Sequence, residues 1–258
     1  MKYEQLISLL RKESVGEYLS KESVYLTPER LEIFRRCPLM YRDRRLGLLY
    51  DGHRERAARQ LRDEAVSVCI FQGYAAYEYR YKHLMPLEDA DLVESLADVC
   101  RSWGWLQARL TDGSAGVVVR ANYAGAMCQA RIDWFRPGDG PDAGIYALVF
   151  SSRQNIRETP LDPTVRKLAF TRSLLQLAAT ERGLPAPVDL PAHIILLQRE
   201  MPHDVAGLDV SEDDLQRAQQ QNEYAVERLI EYDRTSLEWA GNYPHRCQRC
   251  VFSVVKVL

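Results

Sequence analysis

The chain has 258 residues, 46% of them hydrophobic, enough to bury one large core and near the upper end of what a single domain carries. Its 34 Lys and Arg nearly balance 36 Asp and Glu, which excludes recognition of nucleic acid by overall charge and leaves that role to local basic patches. No apolar run approaches the roughly 20 residues of a membrane helix, and no charged leader precedes an apolar stretch. A cytoplasmic, non-membrane protein is expected, whose six cysteines are reduced core residues or metal ligands rather than disulfides.

Tyr3, Leu6, Leu9 and Leu10 predict an amphipathic helix over residues 3–13 that fades into a polar stretch to Glu22. A second helix is predicted at Thr27-Pro28, where Thr supplies a capping oxygen and Pro fills the first helical position without losing a hydrogen bond. Leu31, Ile33 and Phe34 form its apolar face. After Cys37-Pro38 the chain is irregular or briefly helical to Gly47; helical spacing resumes at Ala57, Leu61, Ala65, Val66 and Cys69 and stops at Gly73. Residues 87–110 read as one long helix through Leu92, Leu96, Val99, Trp103, Leu106 and Leu110. Three strands are predicted at about 116–123, 126–135 and 144–151, the first two joined by an Ala124-Gly125 hairpin. A helix at 163–182, an apolar β-branched strand at 192–199 and a helix at 211–232 follow, the last opened by a Ser211/Asp214 capping box. The order gives an α+β (α/β) class: one domain over 1–258, mainly helical in 1–112, with a central mixed sheet flanked by helices in 113–258.

Hydrolysis of a phosphodiester by metal ions needs carboxylates at adjacent strand ends to hold Mg²⁺, and a cation to orient water or offset developing charge. Asp133 ends the strand Gln129-Ala130-Arg131-Ile132-Asp133-Trp134 and meets the first half of that need. The next strand, Ile145 to Ser152, carries no charge.

Several segments together resemble the PD-(D/E)XK nuclease superfamily, in its exonuclease VIII-like and RecB-like group. They are Leu26-Thr27-x3-Leu31-x2-Phe34-x2-Cys37-Pro38-x2-Tyr41-x5-Gly47, Val117 to Arg120 with Gln129-x-Arg131-Ile132-Asp133-Trp134, Leu168-Ala169-Phe170, and Asn222-Glu223 with Ala225. The resemblance implies a restriction-endonuclease-like core with an N-terminal helical elaboration, and it places the metal-binding aspartate at Asp133. The family's Asp-x-Lys falls on Leu148-Val149-Phe150, its Gln-x3-Tyr on Lys167 and Thr171, and its upstream histidine on Arg59. A degenerate active site is expected: a catalytically inactive, nuclease-shaped DNA-binding or assembly subunit beside a recombination or phage-derived partner, with no cofactor. In that reading Leu148 and Phe150 extend the apolar core where a hydrated metal site would lie.

Two alternatives stay open. One is an active Mg²⁺-dependent exonuclease with a relocated site, Lys167 supplying the cation and Glu158 or Asp162 the second acid. The other is a protein-interaction module without a nucleic-acid role. Cys37 with Cys247-x2-Cys250 resembles the iron-sulfur variant of these nucleases without its fourth cysteine, and His245 would complete a zinc set. Arg54, Arg56, Arg59 and Arg62, with Arg131, form the candidate nucleic-acid surface, although Glu55, Asp63 and Glu64 also allow an ion-paired helix. Tyr74, Tyr77, Tyr79 and Tyr81 interleave with Arg80 and Lys82, either a base-stacking groove or an ordinary half-exposed edge. His53, His83, His193 and His203 read as structural or surface residues.

Overall fold

The computed structural model describes residues 4–13, 17, 18, 21, 24–45, 53–110, 112–138, 140–151, 155–184, 189–199 and 202–235, with the side chains of 4, 43–45, 53–57, 59, 60 and 235 outside the description. Helix α1 (Glu4–Leu9) is followed by a two-residue strand β1 (Arg11–Lys12), so the helix predicted to residue 13 stops early and its polar end joins the sheet. Helix α2 (Pro28–Arg36) starts where the sequence places it: the Thr27 hydroxyl accepts from the Arg30 N–H and Pro28 occupies the first turn. Helices α3 (Pro38–Arg45), α4 (His53–Phe71) and α5 (Tyr74–Arg80) follow.

The predicted helix 87–110 is two helices, α6 (Leu87–Ser102) and α7 (Gly104–Gln107). The break is at Trp103, which is extended and sends its ring with that of Trp105 against Gly207; a Cβ there would lie 2.6 Å from Trp103. Strands β2 (Ser114–Tyr123) and β3 (Ala126–Arg136) form the expected hairpin, with Ala124 and Gly125 both at positive φ as a tight two-residue turn requires. Strand β4 (Gly144–Ser151), helix α8 (Asp162–Glu181), strand β5 (Ala192–Gln198), strand β6 (Val205–Asp209) and helix α9 (Glu212–Thr235) complete the described chain. The Ser211 hydroxyl accepts from the Asp214 N–H at 3.2 Å, as the capping motif predicts.

Among the described residues the sheet has six strands in chain order, antiparallel except for β4 and β5, which are parallel and linked through α8. On one face α2, α8 and α9 cover a core that includes Leu31, Phe34, Phe170, Leu174 and Val226; on the other, α4 and α6 cover Trp134, Tyr146, Ile195 and Leu197. Burying apolar area at about 25 cal/mol per Å² on both faces explains why β4 and β5 read as unbroken apolar runs. No described helix is long and apolar enough to cross a membrane.

Candidate functional site

Strand β3 delivers Asp133 at a place where the sheet opens. Cys128, Ala130 and Ile132 face the α8 core, yet Trp134 joins the opposite one; in β2, Val117, Val119 and Ala121 face the α8 core while Ala115 packs against the other. Both strands change face between the pairs Val117↔Ile132 and Ala115↔Trp134, at Gly116 opposite Asp133. Gly116 has φ +68°, and a Cβ on it would lie 3.2 Å from Arg131 Nη2 and 3.3 Å from the Glu13 carbonyl. Pairing of β3 with β4 runs from Arg136↔Gly144 to Trp134↔Tyr146. Beyond it the Asp133 side chain takes over, Oδ2 accepting from the Leu148 N–H at 3.1 Å. A carboxylate that satisfies a neighbouring strand's backbone is a structural element as well as a charge.

Two cations flank that carboxylate. Lys167 Nζ, on the second turn of α8, lies 3.4 Å from Asp133 Oδ2, and Arg131 Nη1 lies 3.5 Å from Oδ1. These are ion-pair distances rather than tight hydrogen bonds. Lys167 is shared with Glu29 of α2, whose Oε1 is 3.8 Å away and whose Oε2 accepts from the Tyr18 hydroxyl at 3.3 Å. Burial works against the charge of Lys167, but the carboxylates of Asp133 and Glu29 outweigh burial and the repulsion of Arg131, so its pKa sits above the ordinary lysine value. Neighbouring contacts hold α8 in place. Arg166 donates to both oxygens of Glu32, at 2.6 and 2.8 Å, and Asn222 of α9 donates to the Arg166 carbonyl at 2.9 Å while accepting from Arg35 at 2.6 Å.

Of the residues singled out in sequence, Asp133, Lys167 and Arg131 are brought together. Glu158 is not: it lies on a 3₁₀ turn and accepts from the Asn155 side chain at 3.2 Å, because that turn caps itself. Asp162 opens α8 and lines a different cavity, of about 450 Å³, with Arg166 and Asp214. The carboxylate that does reach the cluster is Glu29, which sequence reasoning missed; its signal was an acid two residues after the Thr27 cap, inside the segment that carries the resemblance. Arg62 pairs with Asp89 at 3.0 Å, and the side chains of Arg54, Arg56 and Arg59 lie outside the described residues. Cys37 is buried at the end of α2; Cys247, Cys250 and His245 lie outside the described residues.

The tyrosine row is helical and divided. Tyr77 is buried, Tyr74 accepts from Lys82 at 2.6 Å and donates to Glu94 at 3.2 Å, and Tyr79 is exposed. His193 is buried against Tyr146, with Asp209 2.7 Å from Nδ1 and the Ala143 carbonyl 3.0 Å from Nε2.

The resemblance implies Mg²⁺ at Asp133, and the residues present do not fit a two-acid site of the family's kind. Leu148 and Phe150, which the resemblance sets at the acid and lysine positions, pack toward the α4/α6 core, and both oxygens of Asp133 already face donors. Among the described residues, no group of three or more His, Cys, Asp or Glu could hold a metal ion.

No protein-family model matches the chain, and no curated protein matches it. Among solved structures, the crystal structure of a "putative exonuclease" from Eubacterium rectale is similar, with TM-score 0.67 and 14% identity over 96% of this chain and 94% of that one. The structure of SSO0001 aligns over 98% of this chain and 94% of that one, with TM-score 0.41 and 15% identity. At such identities only the first likeness bears on the fold. The chain has an α+β fold with a central mixed sheet flanked by helices, a fold it shares with the first of these structures.

Proposed function

We propose that this chain is a nuclease-shaped protein without nuclease chemistry, acting as a DNA-binding subunit. The observation that carries the reading is the state of Asp133: its carboxylate is engaged by the Leu148 N–H, Lys167 and Arg131, while apolar side chains stand where an acid and a lysine would be needed. Magnesium holds its waters and asks for free anionic oxygens, so a carboxylate already neutralised by two internal cations is a poor ligand. Support for the DNA half comes from the fold's likeness to an exonuclease-described protein and from the local arginine clusters. Fluorescence anisotropy with linear duplex DNA tests it. Binding should weaken steeply as salt rises, with no shortening of the DNA in Mg²⁺ or Mn²⁺; no binding at low salt sinks the DNA-binding role, and metal-dependent shortening sinks the non-catalytic one.

A second reading, an Mg²⁺-dependent exonuclease with a relocated acid and lysine, is favoured by one observation: Lys167 and Glu29 meet at Asp133. It requires Lys167 to be drawn away from Asp133 before that carboxylate is free to act as a ligand.

A further inference from the structure

Two carboxylates from different elements, Asp133 on β3 and Glu29 on α2, converge on one ammonium. Lys167 Nζ stands 3.4 Å from one and 3.8 Å from the other, and the second oxygen of Asp133 is turned to Arg131. The side chains of Asp133 and Lys167 are 12% and 26% exposed and that of Glu29 is 47% exposed, so the Asp133 end of the cluster is sheltered from screening water while the Glu29 end opens to it. The four charges sum to zero as they stand.

We propose that Lys167 is the resident cation of this site, its ammonium filling the space between Asp133 and Glu29, and that removing it uncovers a divalent-cation site built from these two carboxylates. The inference rests on the non-catalytic reading above and deepens it: the metal requirement is met by the chain's own side chain. Two features support it. The backbone of Lys167 is fixed, since its carbonyl accepts from the Thr171 hydroxyl at 2.8 Å and the preceding residue is clamped to Glu32. With the ammonium gone, the cluster carries two carboxylates against one guanidinium, and one or two carboxylates with bound waters are what Mg²⁺ and Mn²⁺ ordinarily take from a protein.

Mn²⁺ is the probe, followed by electron paramagnetic resonance and titration calorimetry on the full chain. Lys167→Ala opens the space, and Lys167→Met keeps the stem and loses only the charge, so a folding failure of the first leaves the second to decide. The expected result is one Mn²⁺ per chain in Lys167→Met, bound at least about a hundredfold more tightly than by wild type, because a unit positive charge within about 4 Å of a divalent ion is strongly unfavourable even at a protein-like dielectric. Adding Glu29→Gln to Lys167→Met should abolish that site.

Wild-type binding as tight as in the variants overturns the proposal, as does a folded Lys167→Met that binds no Mn²⁺, or binding that survives Glu29→Gln. Wild-type cleavage of DNA, run in the same buffers, is read separately. Cleavage overturns the non-catalytic reading, whereas absent Mn²⁺ gain with no cleavage overturns only the resident-cation inference.

Discussion

Replacing Asp133 with Ala separates a structural carboxylate from a hydrated metal ligand through the sign of its effect on stability. In this fold the substitution strips the Leu148 N–H of its acceptor and leaves Lys167 with only Glu29, at 3.8 Å, against the repulsion of Arg131. A buried N–H left without a partner costs about 1–3 kcal/mol. Breaking a fully buried ion pair costs about 3–5 kcal/mol and an exposed one about 0–1; with Asp133 12% and Lys167 26% exposed, the pair belongs between them. The two contributions overlap, and a loss of about 3 kcal/mol is expected. Asp133→Asn keeps an acceptor for Leu148 and loses only the charge, so about half of that loss should return. Urea unfolding followed by circular dichroism at neutral pH measures both, and the midpoints should rank wild type, Asp133→Asn, Asp133→Ala. A catalytic carboxylate awaiting its metal is commonly neutral or stabilising to remove, since active sites hold charge at the expense of stability. An Asp133→Ala protein as stable as wild type, or more so, would refute the reasoning.

Two further outcomes follow from the N-terminal side of the same region. The enclosed Glu13 carboxylate is held at a pKa of about 2, chiefly by its hydrogen bond from Arg120, with burial opposing and Lys21 adding to the effect. A depressed acid contributes stability above its unfolded pKa and loses it as pH falls toward the folded value. Wild type should therefore weaken as pH drops from the usual glutamate range toward about 2, and Glu13→Gln should flatten that decline while weakening the protein at neutral pH; unchanged slopes in acid titrations of thermal stability would contradict this. Gly116→Ala should cost about 1–2 kcal/mol, because φ +68° is unfavourable for an L-residue and the added Cβ crowds Arg131 and the Glu13 carbonyl; chemical denaturation measures it, and a neutral or stabilising result counts against the strained crossing at Asp133.

Much of the frame was legible because local chemistry set it. Thr27-Pro28, the Ala124-Gly125 turn and Ser211 with Asp214 each fix an element boundary by hydrogen bonds or φ within a few residues. What escaped depends on partners far along the chain. Strand β6 carries Gly207 at its centre, where alternation fails, and only the Trp103 and Trp105 rings explain that glycine. Those same tryptophans hid the break between α6 and α7, since Trp103 and Leu106 keep helical spacing across it. In β1, two residues pair with Val117 and Val118, too short a run for a pattern.

At the site, the uncharged strand after Asp133 was legible in the sequence. The cluster around Asp133 was only half visible. Lys167 was a candidate because it lies on the helix after the strands, where the resemblance sets the family's Gln, but Glu29 reads in sequence as an ordinary first-turn acid favoured by the helix dipole. Nothing local distinguishes that role from pairing with a lysine on a helix that folds against it. Glu158 failed for the converse reason, being nearer along the chain but committed to its own turn.

The central claim is that Asp133 serves the fold and not a reaction. A cleavage time course on end-labelled linear duplex DNA, with wild type and Asp133→Ala in parallel at several Mg²⁺ and Mn²⁺ concentrations, tests it most directly. The account predicts that neither protein shortens the DNA above the enzyme-free background; wild-type degradation that requires the metal and disappears in Asp133→Ala would contradict it.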